Sequence, residues 1–349
     1  MRRRAFLGGA FALAACDRPA DARATPIAIP ALKDAAPFAV GTAVQAGQLG
    51  DPAFVALVAA QASQLTPEWE MKMEYICRDD GGFRFDAPDR IAAFAKTRGL
   101  RLFGHTLVWY AQMPPAFERL DESRQRFADA YRNYILAVVG RYRGQAVGWD
   151  VVNEAVAEDG AGWRDSLWSS RLGKLDHMVR AFRHAREADP EAVLFLNDYN
   201  LENLPAKRAT FLRLAEALMV AGAPLGGVGS QTHVAADLAP GEITTAIKDL
   251  ASLGLPVHIS EMDVSLARAK GFLLNKAELA IKQARVYAEA GEAFAALPKR
   301  QQFAFTHWGL RDGDSWLRRE NAADTPLLFD DAGRPKPAAK AWVEAVGKR

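Results

Sequence analysis

Short apolar runs, each ending in polar or aromatic residues, recur along the chain, and longer stretches with apolar positions at helical spacing separate them. Runs of the first kind read as buried strands, and stretches of the second kind as amphipathic helices. The candidate strands are Phe38 to Ala43, Gln64 to Thr66, Arg101 to Val108, Ala146 to Asn153, Ala192 to Leu196, Gly227 to Thr232, Pro256 to Met262 and Gln302 to His307. Start and stop signals mark the helices between them. Pro88-Asp89-Arg90-Ile91 opens one that ends at Gly99, and Asp121 can cap the next, whose apolar face runs from Arg124 to Val139. Leu175, Met178, Val179 and Phe182 share one face of a helix that must stop before Asp189-Pro190. Pro205 to Met219 and Asn275 to Ala290 read the same way, and Pro337 begins a last helix with Trp342 and Val346 turned inward.

Eight strands alternating with helices imply an α/β fold with a parallel sheet and crossover helices. A doubly wound open sheet usually carries a Gly-rich phosphate loop after its first strand, whereas here that strand ends Gly41-Thr42-Ala43-Val44-Gln45. The strand count therefore predicts a (β/α)8 TIM barrel, a single catalytic domain over residues 37–349.

The ends and the composition add constraints. Arg2, Arg3 and Arg4 precede an apolar run from Ala5 to Ala15 that is too short to span a bilayer. Residues 1–15 read as an export signal of twin-arginine type, and Leu13-Ala14-Ala15-Cys16 as a lipobox. A lipid anchor at Cys16, a tether over residues 16–36 and a periplasmic or membrane-anchored location follow as expectations. The chain has 349 residues and a formal net charge of +2, so nothing in its charge calls for nucleic acid as a partner. Of the two cysteines, Cys77 in Tyr75-Ile76-Cys77 reads as a buried structural thiol.

The unusual residues fall at the strand ends. Glu68 and Lys72 follow the second strand; His105, Trp109 and Gln112 lie on or past the third; Asn153-Glu154 ends the fourth. Asn197-Asp198-Tyr199 follows the fifth, Gln231 and His233 end the sixth, Glu261 and Asp263 end the seventh, and Trp308 and Trp316 follow the eighth. In a (β/α)8 barrel these ends open on one face, so residues from Glu68 to Trp316 converge on one cleft. Singly, each has a plainer reading: a loop carboxylate is usually solvated, and a lone histidine or tryptophan is usually half-buried packing. Together they supply two carboxylates, hydroxyl-binding amides and imidazoles, a lysine and aromatic rings suited to sugar faces. Paired carboxylates suit glycosidic cleavage. Metal hydrolysis wants a dense ligand set, and there is no H-x-H, H-E-x-x-H or G-x-S-x-G here. No metal and no cofactor are expected.

These stretches resemble glycoside hydrolase family 10, whose best-known members are endo-β-1,4-xylanases. The resemblance runs from Pro37 to Val346 through Gly104-His105-Thr106-Leu107-Val108-Trp109, Trp149-Asp150-Val151-Val152-Asn153-Glu154 and Leu196-Asn197-Asp198-Tyr199. It continues through Gly229-Ser230-Gln231-Thr232-His233, Ile259-Ser260-Glu261-Met262-Asp263 and Phe305-Thr306-His307-Trp308-Gly309 with Asp314-Ser315-Trp316. It implies Glu154 as acid/base and Glu261 as nucleophile of a retaining reaction, with their carboxyls about 5–5.5 Å apart. It implies Asn153 at the sugar 2-hydroxyl, His233 on Glu261, and Asp263 orienting His233. Lys72, His105, Trp109, Gln231 and Trp308 would surround the sugar being cleaved. Glu68, Gln112 and Trp316 would lie at the next sugar on the non-reducing side, and Tyr199 on the leaving-group side. Xylan or xylo-oligosaccharide is the implied substrate, and a monomer the expected state. Rival readings keep the mechanism on a short oligosaccharide or another β-1,4-glycoside, or make the chain a non-catalytic glycan binder.

Two positions depart from the family's usual pattern. Trp69 stands where a sugar-binding asparagine is usual, so a narrower, more apolar subsite is expected there, and Tyr110 follows Trp109 where histidine is usual.

Overall fold

A computed structural model describes residues 27–120, 123–270 and 275–347. Eight parallel strands close into a barrel: β1 (Ala39–Val44), β2 (Gln64–Pro67), β3 (Arg101–Gly104), β4 (Ala146–Asn153), β5 (Val193–Asp198), β6 (Gly227–Ser230), β7 (Val257–Ser265) and β8 (Gln302–His307). Each pairs with the next, and β8 closes the ring on β1 with Ala39 opposite Ala304. The crossovers are α1 (Pro52–Gln61), α2 (Asp86–Thr97), α3 (Arg124–Arg141), α4 (Asp176–Ala188), α5 (Pro205–Val220), α6 (Glu242–Ala251) and α7 (Lys276–Ala295), with α8 (Pro337–Val346) after β8. The (β/α)8 expectation is met.

Strands covered on both faces lose their alternation, and β7 is buried along its whole length. Phe103, Phe195, His258 and Phe303 fill the barrel near its entry end with ring centroids 4.6–5.8 Å apart. Burial holds His258 neutral, with its pKa down at about 3. Outside, Phe38, Phe294, Phe305 and Trp342 pack edge to face between β8, α7 and α8. Each such ring contributes roughly 2–3 kcal/mol by leaving water.

Besides small shifts at the ends of elements, the structure differs from the sequence reading in four features. The third and sixth strands break. Val108–Trp109 resumes beside β4, and His233–Ala235 resumes beside β7. The sixth breaks because Thr232 takes a left-handed φ of 61° and its hydroxyl bonds Glu202 rather than continuing the ladder. Helix α3 runs through Gly140 to Arg141 and is capped by Ser123, whereas Asp121 lies outside the described residues. A short helix, Leu32–Ala35, buries Leu32 within the stretch read as tether. Export signal, lipobox and Cys16 lie outside the described residues. Cys77 is buried and its thiol is pushed up to about 12 by that burial, as a structural thiol should be. No helix among the described residues is long and apolar enough to cross a membrane.

Candidate active site

The strand ends open into a cleft of about 500 Å³. Thirteen of the fourteen residues given a site role from sequence line it: Glu68, Lys72, His105, Trp109, Gln112, Asn153, Glu154, Tyr199, Gln231, His233, Glu261, Trp308 and Trp316. The fourteenth, Asp263, stands behind the wall and accepts from His233 Nδ1 and Trp316 Nε1, both at 2.9 Å.

Register brings the central amides together. Asn153 on β4 lies opposite Asn197 on β5, and Asn197 lies opposite Gly229 on β6. A Cβ on Gly229 would meet the side-chain Oδ1 of Asn197 at 2.3 Å, so only glycine leaves room for that amide. Ser260 Oγ donates to Asn197 Oδ1 at 2.8 Å, which turns the Asn197 Nδ2 toward two acceptors. These are Asn153 Oδ1 and Glu261 Oε1, each at 3.0 Å. Gln231 Nε2 donates to Glu154 Oε1 at 3.0 Å and to Asn153 Oδ1 at 3.3 Å. A chain of three amides therefore links the two carboxylates.

The backbone at this face is strained where the chemistry lies. Gln112, Glu154, Asn200 and Thr232 follow four different strands and take left-handed φ between 51° and 61°. Such geometry costs about 1–3 kcal/mol per residue and persists only where neighbours enforce it. For Glu154 the enforcing bond runs from its N–H to the Asn197 carbonyl at 2.8 Å.

Electrostatics separate the two glutamates. Burial by itself would raise the pKa of Glu261, but His105, His233 and Lys72 outweigh it and hold the carboxyl down at about 2. His233 Nε2 lies 3.4 Å from Glu261 Oε2, and His105 Nδ1 lies 3.9 Å from Oε1. Burial would likewise discharge His233, but Asp263 and Glu261 outweigh it and push its pKa up to about 10. Both ring nitrogens then carry protons, one for each carboxylate. Glu154 accepts from the amides of Asn153 and Gln231.

Several contributors were not assigned from sequence. Asp150 accepts from His105 Nδ1 at 2.8 Å, and burial, only partly offset by His105, lifts its own pKa to about 6. Ligand-type atoms of His105, Asp150 and Glu261 lie within 4.8 Å of one another, and that hydrogen bond accounts for the approach. A charged residue inside an otherwise apolar β4 was a usable signal for Asp150. Arg164 donates to the Glu154 carbonyl at 3.0 Å and to the Tyr199 hydroxyl at 3.2 Å, and its guanidinium covers the Tyr110 ring at 4.1 Å. Lys207, fully buried, sits 3.4 Å from the Tyr199 ring centre. Arg268 and Arg319 line the cleft itself. These cations come from loops and helices that the strand-end pattern does not mark. Tyr110 lines the cleft, whereas Trp69 does not: it packs edge-on against Tyr75 at 4.9 Å and is 41% exposed. The narrowed subsite expected from Trp69 is therefore not formed by its ring, because Tyr75 offers it an apolar partner outside the cleft.

A barrel whose strand ends gather two buried carboxylates, fixed amides and aromatic rings defines the glycoside hydrolase class. The family model for glycosyl hydrolase family 10 matches residues 30–345, and the chain belongs to that family. It is 35% identical to an endo-1,4-beta-xylanase of Geobacillus stearothermophilus over 89% of this chain and 97% of that one. It is 34% identical to endo-1,4-beta-xylanase A of Thermoanaerobacterium saccharolyticum and to a protein of Acetivibrio thermocellus named an exoglucanase. Those matches take in 88% and 86% of this chain but only 27% and 28% of the relatives' lengths. The crystal structure of xylanase XynB from Paenibacillus barcinonensis superimposes with a TM-score of 0.82 at 33% identity, covering 92% of this chain and 99% of that one.

Proposed function

We propose that the chain is a retaining endo-β-1,4-xylanase with Glu261 as nucleophile and Glu154 as acid/base. One observation carries this reading: a buried Glu261 kept ionised by His105, His233 and Lys72, across a chain of amides from a Glu154 that meets neutral donors. In the first step Glu261 attacks the anomeric carbon while Glu154 gives its proton to the departing glycosidic oxygen. The product is a glycosyl ester on Glu261. Glu154, now a carboxylate, takes a proton from water, water attacks the anomeric carbon, and Glu261 leaves. Asn197 and His233 hold Glu261 in place through both steps. Trp308, set edge-on to His105 and His233, offers an apolar face to the sugar ring.

The substrate assignment draws on relatives named as xylanases, and the relative named an exoglucanase supports a second reading with the same mechanism on another β-1,4-glycan. Release of reducing sugar from linear xylan, compared with release from a soluble β-1,4-glucan, decides between them. NMR of the first product should show the β-anomer. An α-anomer overturns the retaining mechanism.

A further inference from the structure

Xylose units carry no charge, so a cleft for the bare backbone requires hydroxyl partners and apolar faces but no guanidinium groups. Two arginines nevertheless line it, both at the Trp316 edge. Arg268 stands over the Trp316 ring, 5.0 Å from its centre. Its Nη2 meets both carboxylate oxygens of Glu320, at 2.9 and 2.7 Å, in a pair whose side chains are 41% and 52% exposed. Arg319 closes the short turn Trp316–Arg319, so it lies one residue before the partner of Arg268. Its side chain is 72% exposed, and its contact with Glu68 is long, at 3.5 Å. Arg268 thus covers the Trp316 ring and Arg319, at the end of the same turn, lines the cleft near Glu68, both held by contacts weak enough to exchange. Exposed ion pairs of this kind contribute about 1 kcal/mol or less.

A guanidinium presents paired N–H donors in a plane, the match for a carboxylate. We propose that Arg319 and Arg268 bind the carboxylate of an acidic sugar branch, a uronic acid, carried by the xylan backbone beside Trp316. The proposal rests on the xylanase reading and adds a preference for acidic over neutral decoration. Arg319 supplies the accessible fork. Arg268 adds a second positive charge and braces the ring on which the backbone sugar lies. The attraction acts across solvent, so it weakens as salt shortens the Debye length to about 8–10 Å.

Three substrates test it: linear xylan, glucuronoxylan, and the same glucuronoxylan with its uronic carboxyls chemically reduced to alcohols. The reduced polymer keeps the branch and its bulk and loses only the charge. The full chain should show a kcat/KM on glucuronoxylan roughly 2- to 10-fold above that on the reduced polymer at low salt, the range of one or two exposed ion pairs. Most of that ratio should vanish at high salt. Arg319→Ala should bring it close to one, Arg319→Lys should retain part of it, and Arg319→Glu should invert it. Equal rates on the acidic and reduced polymers, or a ratio that survives in Arg319→Ala combined with Arg268→Gln, overturns the proposal while leaving the xylanase reading intact. Failure to cleave linear xylan overturns the xylanase reading, and this proposal falls with it.

Discussion

Glu154 and Glu261 leave β4 and β7 toward the same cleft, and both are less than a tenth exposed, yet their surroundings differ in kind. Around Glu261 stand two imidazoles and an ammonium, and a charge at about 4 Å in protein surroundings is worth about 4 kcal/mol, roughly three pKa units. That is enough to reverse the effect of burial, and Glu261 sits at about 2. Around Glu154 the hydrogen bonds come from the neutral amides of Asn153 and Gln231. The contrast teaches how one cleft assigns two jobs to one residue type. On the proposed roles, Glu261 as nucleophile has charged partners that keep it anionic, and Glu154 as acid/base has neutral donors.

Exchanging the loss between the two carboxylates breaks the comparison most severely. Glu261→Ala should lose activity on linear xylan and on an activated aryl xylobioside alike, by about 10⁴- to 10⁶-fold, as when other nucleophiles are removed. Glu154→Ala should lose about 10²- to 10⁴-fold on xylan, where the leaving sugar needs a proton, yet form the glycosyl-enzyme readily from the aryl substrate. Azide should rescue Glu154→Ala to a β-glycosyl azide and Glu261→Ala to an α-glycosyl azide. The opposite pairing of anomers reverses the two roles.

A subtler probe removes one cation. In His233→Asn the burial of Glu261 is less fully opposed, so its pKa should rise. The acid limb of kcat/KM on the aryl substrate, which needs little help from Glu154, should then move to higher pH, with about a 10²-fold loss at neutral pH from the weaker support of developing charge. The signs for stability follow from the same shifts. The lowered pKa of Glu261 contributes stability that is complete above its ordinary value near 4.5 and is lost as pH falls through about 2. The raised pKa of His233 contributes stability that is complete below 6.5 and is lost as pH rises through about 10. The difference in melting temperature between parent and variant should therefore shrink above pH 10. An acid limb that stays in place shows that His233 does not tune Glu261.

The smallest expected effect comes from the amide between the two regions. Asn197→Ala removes a hydrogen bond to a charged oxygen, worth about 1.5–3 kcal/mol, or about 10- to 100-fold. The loss should appear in kcat with KM little changed, on xylan and aryl substrate alike. A pure KM effect would mean that Asn197 serves substrate binding and not the placing of Glu261.

Much of this site is legible in the chain because a (β/α)8 barrel turns strand order into geometry. Glu154, Asn153 and Trp308 lie at strand ends, Glu261 lies on β7, and His233 and Trp316 follow β6 and β8, so the rule that one end of the strands carries the site was enough to gather them. Asn197 was visible in the Leu196-Asn197-Asp198-Tyr199 stretch, but its role depends on Ser260 turning its amide and on Gly229 leaving space. Asp150 stood out as a charge inside an apolar strand, but a strand interior gives no hint of which histidine a buried acid meets. Trp69 went the other way. Its sequence position beside Glu68 suggested a wall of the cleft, and packing against Tyr75 placed its ring elsewhere.

The sequence by itself determined the alternation of strands and helices, the parallel barrel it requires, and the set of polar side chains delivered to one face. Periodicity and strand ends are local properties, and local properties are written along the chain. Only the tertiary structure decided which of those side chains touch, that His105, His233 and Lys72 gather around Glu261 and amides around Glu154, that Arg268 and Arg319 reach the cleft, and that Arg164 and Lys207 back Glu154 and Tyr199. Those outcomes depend on distances of 3–4 Å between residues far apart in sequence, and both hydrogen bonds and charge–charge energies change steeply over that range.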